Sequence, residues 1–178
     1  SGHHRDIHSS PTRRSSDLKE ARRQDDARLI SVRRFIADIR VAAEHAIFSL
    51  AEVKRGVVAG NGGTQRMLDQ IPYALAMELL LTGDQIDAAT ALRWGLINKV
   101  VPAAEVMPAA LDYARRIARN APLAVQAAKE LAIRSREMDR VTGLRVEQLV
   151  NRMLQFSEDA KEGPAAFAEK RPPTFKGE

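Results

Sequence analysis

The chain has 178 residues, of which 44% are apolar and 29% are charged, as expected for one globular domain with a core. It contains no cysteine, which excludes disulfides, thiol nucleophiles and cysteine-ligated metals. No apolar run reaches the roughly eighteen residues of a transmembrane helix, and the polar N-terminus lacks the apolar segment of a secretory signal. We therefore expect a cytoplasmic protein that does not enter membranes.

The basic residues are concentrated at one end of the chain. Residues 1–40 carry ten Lys or Arg and six Asp or Glu, whereas residues 41–178 carry eighteen and seventeen. Because a nucleic-acid-binding face needs clustered rather than balanced charge, the high overall pI of 9.9 gives little support for nucleic-acid binding. Three of the four histidines lie within the first eight residues, so we also expect no metal site.

The N-terminal segment, residues 1–35, differs in character from the rest. Ser1 to Leu18 is rich in Ser, Arg and His and has too few apolar residues to offset the entropy of ordering, so we expect disorder. Its end, PTRRSSDL, resembles the conceptual translation of a sequencing adapter, which favours an assembly artefact. Lys19 to Phe35 permits a helix with apolar packing positions at Leu29, Ile30, Val32 and Phe35.

Two short strands and a glycine-rich turn open the body of the chain. Asp38 to Ala43 alternates apolar and polar residues, and Ile47 to Leu50 forms a second apolar group after a turn. Glu52 then follows a strand end, where binding residues project in α/β folds. Glycines at 60, 62 and 63 allow positive φ and close approach to a ligand, before a helix start at Thr64 with unpaired N–H groups.

Helices dominate the remainder of the predicted structure. Asp87 and Pro72 mark helix starts, and Gly83 and Gly95 mark helix ends. Ile97 to Val101 is predicted as a strand. The predicted helices are Thr64–Gln70, Pro72–Leu81, Asp87–Trp94, Ala103–Arg119, Pro122–Glu137, Val141–Phe156 and a short one from Pro164 to Lys170.

The later helices carry apolar faces that must be covered. One face holds Leu111, Ala114, Ile117 and Ala118, and the next helix holds Leu123, Val125, Ala128, Leu131 and Ala132. An ordinary intramolecular core is the simplest interpretation of these faces.

Four segments of the body carry a family resemblance. They read ADIRVAAEHAIFSLAEVKRGVVAGNGGTQR, LLLTGDQIDAATALRWGLINKVV, NAPLAVQAAKE and SEDAKEGPAAFAEKRPPTFKG, in chain order from Ala37 to Gly177. In this order they resemble the C-terminal half of the enoyl-CoA hydratase/isomerase (crotonase) family. The resemblance implies an α/β, truncated crotonase-like (ClpP/crotonase) fold, with a few residual strands before a mainly helical region. The implied domains are a non-family segment 1–35, a core part 36–102 and a helical oligomerisation region 103–178.

The resemblance also implies a chemistry. Family members bind acyl-CoA thioesters, in fatty acid metabolism among other pathways, and stabilise an enolate with two backbone N–H groups. Two glutamates activate the water that hydratases add to a 2-enoyl-CoA, and Glu52 matches the second of them. CoA is carried by the substrate, so no separate cofactor is implied. The positions that match substrate-binding positions are Gly60, Gly62, Gly63, Phe175 and Lys176.

Several features depart from the family pattern. The first glutamate would fall near Val32, where the chain reads RLISVRR without the triple glycine or the acid, and the oxyanion donors would lie upstream. Ala51 replaces the usual proline, and Ala59-Gly60-Asn61 replaces the commoner Pro-Gly-Ala. These departures leave hydration and double-bond isomerisation both open. We expect this chain to be inactive as given.

Partners and two further residues complete the expectations. The resemblance implies a homo-oligomer, a trimer or hexamer, in which the helical region packs between subunits. An alternative is a non-catalytic helical module that pairs with intact crotonase subunits. Arg66 is interpreted as structural, and Trp94 as part of the core rather than a stacking platform.

Overall fold

The computed structural model of the chain describes residues 29–30, 37–60 and 62–178. The predicted disorder of Ser1 to Leu18, and all but two residues of the predicted helix from Lys19 to Phe35, lie outside the described residues. The chain divides into two compact units, Ser1–Ala109 and Ala110–Glu178.

The described part of the first unit contains five strands and the first helices. The strands are β1 (Leu29–Ile30), β2 (Val41–Ala43), β3 (Ile47–Ser49), β4 (Gln85–Asp87) and β5 (Lys99–Val101). The α-helices are α1 (Gly63–Gln70), α2 (Tyr73–Thr82), α3 (Ala88–Arg93) and α4 (Val106–Ala118), the last of which continues into the second unit. Two 3-10 helices, Ala51–Arg55 and Ala103–Glu105, complete it.

The strands form two small sheets. In the first, β3 lies between a parallel β1 and an antiparallel β4, with Phe48 opposite Ile30 and Ile86. In the second, β2 pairs in parallel with β5. Leu29 and Ile30 are therefore in a strand where the pattern permitted a helix, because pairing with β3 overrides local preference. β4 was not predicted from the sequence.

The core of the first unit packs around β3. Phe48 and Leu50 are each only 1% exposed, and Met67 and Leu96 are fully buried. Trp94 is partly buried and packs against this cluster, which confirms its interpretation as a core residue. β3 is thus enclosed by residues from α1 and from the loop after α3.

The predicted helix ends of the first unit are confirmed. The Asp87 side chain accepts a hydrogen bond from the Thr90 N–H at 2.7 Å and caps α3. Gly83 ends α2 and Gly95 follows the end of α3, both with positive φ. These signals are local, so the sequence alone could specify them.

The second unit is helical. After α4 come α5 (Pro122–Arg134), a 3-10 helix (Ser135–Glu137), α6 (Arg140–Leu154) and α7 (Glu158–Ala168). The last helix was predicted to start at Pro164, but it begins at Glu158 and contains Pro164 inside it. The Ser157 hydroxyl accepts a hydrogen bond from the Ala160 N–H, and this cap starts the helix before the proline.

Few apolar side chains of the second unit are buried. Helices α5 and α6 contain no buried residue, and Leu111 and Ile117 of α4 are 43% and 41% exposed. The interpretation of these faces as an ordinary core is therefore wrong for the single chain. The apolar faces remain at least partly open to solvent.

We expect Phe48→Ala to destabilise the first unit by about 3–5 kcal/mol, because it removes a buried aromatic ring and leaves a cavity. Urea unfolding followed by circular dichroism measures the effect. The control Val58→Ala, at a side chain that is 75% exposed, should change stability by less than about 0.5 kcal/mol. Equal effects of the two substitutions would contradict the assignment of β3 to the core.

Candidate functional site

Glu52 lies in the 3-10 helix that follows β3. The buried Leu50 precedes this helix, and Glu52 is in its first turn. The Oε2 atom of Glu52 is buried and has no hydrogen-bond partner among the described residues. Burial of a carboxylate oxygen without a partner is costly, and such groups occur at functional sites that await a ligand or water. A fully solvated Glu52 side chain does not fit this geometry.

The 3-10 helix ends in a tight turn. Gly56 has φ 77°, and its N–H donates to the Val53 carbonyl at 3.3 Å. The Val57 N–H donates to the Glu52 carbonyl at the same distance. The Glu52 backbone is thus held by local hydrogen bonds, while its Oε2 atom is not.

The glycine-rich turn before α1 differs in detail from the expectation. Only Gly62, with φ 79°, has a positive φ among the three glycines. The Gly63 N–H donates to the Gly60 carbonyl at 3.1 Å, and the Thr64 N–H donates to the Ala59 carbonyl at 3.4 Å. The expectation of open N–H groups at the Thr64 helix start is therefore wrong for these two donors, because carbonyls of the turn itself accept from them.

Gly60 remains accessible. It is exposed, and no atom lies within 4 Å of the position that a Cβ would occupy there. The Arg66 side chain folds over Gly62, with Nε 3.0 Å from the equivalent Cβ position. This contact agrees with the interpretation of Arg66 as structural. Asn61 lies outside the described residues.

Phe175 and Lys176 lie in the second unit, on the segment that follows α7. Phe175 is partly buried, and its Cε1 atom lies 3.9 Å from the Cβ position of Gly163 in α7. The Lys176 residue is exposed, but its backbone N–H donates to Asp159 Oδ1 at 2.7 Å. The structure therefore anchors the backbone here and leaves the cationic side chain in solvent.

Asp159, which the sequence pattern did not indicate, anchors this segment. Its side chain is only 5% exposed, and its second oxygen accepts from the Gly177 N–H at 2.9 Å. Two charge-assisted hydrogen bonds to backbone N–H groups compensate the burial of this carboxylate. The acidic pair Glu158-Asp159 in the sequence was visible, but nothing local indicated a partner seventeen residues away.

Glu162 provides a second anchor. It forms a two-pronged ion pair with Arg171, at 2.6 and 2.9 Å, and accepts from the Thr174 N–H at 2.7 Å. The hydrogen bonds from Arg171 and from Thr174 lower the pKa of Glu162 from 4.5 to about 2. The same pairing, with a further contact to Glu169, raises the pKa of Arg171.

A groove of about 820 Å³ lies between α5 and α6 in the second unit. Its lining is mainly apolar, with Leu131, Leu144 and Val150 among the contributing residues. None of the predicted site residues lines it. We therefore do not assign the candidate site to this groove, although it is large enough for a ligand.

Two classes of site find no support in the part of the chain that the structure describes. No group of three or more His, Asp or Glu residues there is arranged to hold a metal ion. None of the helices in these ranges is long and apolar enough to cross a membrane.

We expect the segment after α7 to be released by acid. Glu162 has a lowered pKa in the folded state, so its stabilisation is present above its ordinary pKa of 4.5 and is lost as the pH falls towards 2. Hydrogen exchange at the Thr174 amide, followed by NMR across this range, measures the release.

Glu162→Gln should speed Thr174 exchange at neutral pH and remove the part of the Thr174 protection that depends on ionisation of Glu162 between pH 4.5 and about 2. Glu169→Gln is the matched control, because Glu169 contacts Arg171 but not Thr174. If Glu169→Gln had the larger effect at Thr174, Glu162 would not be the anchor.

Known proteins match most of the chain. The family described as Enoyl-CoA hydratase/isomerase matches residues 33–178. The (E)-benzylidenesuccinyl-CoA hydratase of Thauera aromatica is 44% identical over 140 residues, which are 79% of this chain and 55% of that protein. The carnitinyl-CoA dehydratase of Salmonella arizonae is 41% identical over 145 residues, 79% of this chain and 56% of that protein.

Solved structures give the same result. An enoyl-CoA hydratase from Mycobacterium tuberculosis H37Rv aligns with a TM-score of 0.77 at 43% identity, over 80% of this chain and 56% of that one. An enoyl-CoA hydratase from Bacillus anthracis aligns with a TM-score of 0.79 at 39% identity, over 81% and 56%. The chain thus has a crotonase-like fold and spans a little over half the length of these relatives. It belongs to the enoyl-CoA hydratase/isomerase family.

Proposed function

We propose that this chain carries the second acid/base residue of an enzyme that adds water to the 2,3-double bond of a 2-enoyl-CoA thioester. The observation that carries the proposal is the buried Oε2 atom of Glu52, which has no partner among the described residues. The family membership adds support, as do two relatives whose names describe a hydratase and a dehydratase of CoA thioesters. Hydration is favoured over isomerisation on this basis.

In the proposed reaction Glu52 acts as the base. Its carboxylate accepts a proton from water while the water oxygen bonds to C3 of the substrate, and the electron pair of the double bond moves into the thioester to give an enolate. The Glu52 carboxyl then donates the proton that it took from water to C2, which completes the addition and restores the carboxylate. A carboxylate held in a partly buried position suits this step, because little solvent reorganisation accompanies the proton transfer.

The remaining predicted site residues have binding roles in the proposal. Gly60 presents backbone beside the reacting water, and Gly62 and Gly63 shape the approach to α1. Phe175 and Lys176 contact the CoA bound to a neighbouring subunit, where the exposed ammonium of Lys176 offers charge to a phosphate. The anchoring of the Lys176 N–H by Asp159 supports a defined location for this cation within the second unit.

We also propose that the 178-residue chain has no hydratase activity by itself. The family pattern places the oxyanion donors and a further glutamate before Ala37, and the residues near Val32 supply neither. Removal of one oxyanion donor alone lowers kcat by about 10²–10³-fold. Loss of both donors together with one acid leaves too little stabilisation of the enolate for turnover.

The role of Glu52 can be tested in a chimera. Residues 37–178 replace the matching part of the enoyl-CoA hydratase of known structure from Mycobacterium tuberculosis. We expect Glu52→Gln to lower kcat for crotonyl-CoA hydration by about 10²–10⁴-fold, because the proton acceptor is lost. Loss of the enoyl absorbance measures the rate.

Glu44→Gln is the matched control, because Glu44 is an exposed glutamate close to β3 in the same unit. It should leave the rate of the chimera unchanged. Full activity of the Glu52→Gln chimera would refute the assignment of the base. Hydration by the unmodified 178-residue chain, if lost on Glu52→Gln, would refute only its proposed inactivity.

Oligomerisation is the second part of the proposal. The second unit exposes large apolar side chains, including Met153 at 73%, Phe156 at 84% and Phe167 at 87%. Exposed apolar area of this kind is typical of interfaces. We infer that these helices pack against other subunits, as a trimer or hexamer in an intact enzyme.

A non-catalytic interaction module is the alternative function, and the same exposed faces favour it. Under this alternative, co-expression of the tagged chain with a full-length enoyl-CoA hydratase should give a mixed oligomer with a defined mass on size exclusion. An isolated catalytic part should instead aggregate or be degraded, because its apolar faces stay uncovered. Stable recovery of the chain as a monomer would contradict both outcomes.

A further inference from the structure

We propose that the turn at Gly83 and Asp84, between α2 and β4, is the positioning element for the Glu52 carboxyl. The catalytic meaning of this inference rests on the proposed function of Glu52, whereas the contacts themselves do not. Three contacts connect this turn to the residues on either side of Glu52.

The first contact is the close approach of Gly83 to the 3-10 helix. Gly83 is buried and has φ 63°. A Cβ at this position would lie 3.1 Å from Val53 Cγ2, 3.2 Å from the Cα of Ala51 and 3.2 Å from Lys54 Cγ. Ala51 and Val53 are the immediate neighbours of Glu52, so the backbone of Gly83 presses on the helix turn that carries it.

Only glycine satisfies both conditions at position 83. An L side chain at positive φ is strained, because its Cβ approaches the backbone. The Cα of Ala51 is a backbone atom, and Val53 Cγ2 belongs to a stiff β-branched side chain. Such atoms move aside less easily than the end of a flexible side chain. A larger residue would therefore displace the 3-10 helix.

The second contact fixes the chain where it enters this helix. The buried hydroxyl of Ser49 donates to the Gly83 carbonyl at 3.2 Å. Ser49 also lies opposite Gln85 in the antiparallel pairing of β3 with β4. The last residue of β3 is thus fastened to the same turn.

The third contact lies on the other side of Glu52. The Lys54 ammonium pairs with Asp84 Oδ1 at 2.7 Å, and this pairing lowers the pKa of Asp84. The Asp84 N–H donates to the Thr82 hydroxyl, which in turn donates to the Glu78 carbonyl of α2. An exposed ion pair contributes little stability, but this one connects the end of the 3-10 helix to the Gly83–Asp84 turn.

These contacts matter because the Glu52 carboxyl has little support of its own. Its Oε2 atom has no hydrogen-bond partner in the described part of the chain. The direction of the Glu52 side chain is then set by the position of the 3-10 helix. The contacts of Ser49, Gly83 and Asp84 hold this helix in position. Gly83 acts through this helix and is a positioning residue rather than a catalytic one.

The test uses the 178-residue chain labelled with ¹³C at the glutamate carboxyl carbon. Glu52→Gln identifies the Glu52 resonance by its disappearance. Gly83→Ala should shift this resonance, because the carboxyl moves relative to its buried surroundings. Circular dichroism and the amide resonances of α6 should stay as in the parent chain.

Gly95→Ala is the matched control. Gly95 has φ 77°, so alanine is strained there as well, but nothing lies within 4 Å of its Cβ position. Its effect on the Glu52 resonance should be negligible. A folded Gly83→Ala chain with an unchanged Glu52 resonance, or an equal shift in Gly95→Ala, would overturn the proposal.

If Gly83→Ala prevents folding, the double variant Ser49→Ala/Lys54→Met provides the test, because it removes the other two contacts without strain. It should shift the Glu52 resonance, and an unchanged resonance would overturn the proposal. The outcome is separate from the fate of the proposed function, which depends on the activity of the Glu52→Gln chimera. A shifted resonance with a fully active Glu52→Gln chimera would keep the positioning and remove its catalytic meaning.

Discussion

Burial of the short strand β3 is the constraint on which the first unit depends. Phe48 and Leu50 are almost completely enclosed, and each buried side chain of this size contributes about 1.5–3 kcal/mol relative to exposure. β3 also pairs on both edges, so neither its position nor its direction can shift without loss of core packing. The end of β3 at Ser49 therefore has a fixed position, and Glu52 lies three residues after it. The candidate site inherits its location from the core.

The second unit is organised differently. Only two of its described residues are buried, Asp159 and Ala166, and the first of them carries a carboxylate. Hydrogen bonds to Asp159 and Glu162 hold the last residues against α7, while large apolar side chains face solvent. Because polar anchoring gives order with little apolar burial, this unit gains much from a partner that covers its helices. The proposed oligomer supplies such a cover.

The sequence predicted the features whose causes are local. The Asp87 cap and the glycine-marked ends at Gly83 and Gly95 depend on neighbouring residues, and the order of β2, β3 and Glu52 followed from apolar alternation. The strand at Leu29–Ile30 and the buried state of Glu52 Oε2 depend on residues distant in the chain. The start of α7 was missed although its Ser157 cap is local, because Pro164 was interpreted as the first residue of the helix. The family resemblance indicated that a glutamate belongs to the site. It did not indicate which residues hold that glutamate in place.

The replacement at Ala51 shows how a local constraint can be transferred to a tertiary one. The family resemblance places a proline at this first position of the 3-10 helix, where a fixed φ would pre-form the turn before Glu52. Alanine removes this restriction and gives the unfolded chain about 0.4–1 kcal/mol more conformational freedom. In this chain the Cα of Ala51 lies against the backbone of Gly83, so that a Cβ at position 83 would be only 3.2 Å from it. Packing from α2 therefore supplies the restraint that the local sequence lacks, and the precision of the site depends on the turn after α2 as much as on the residues around Glu52.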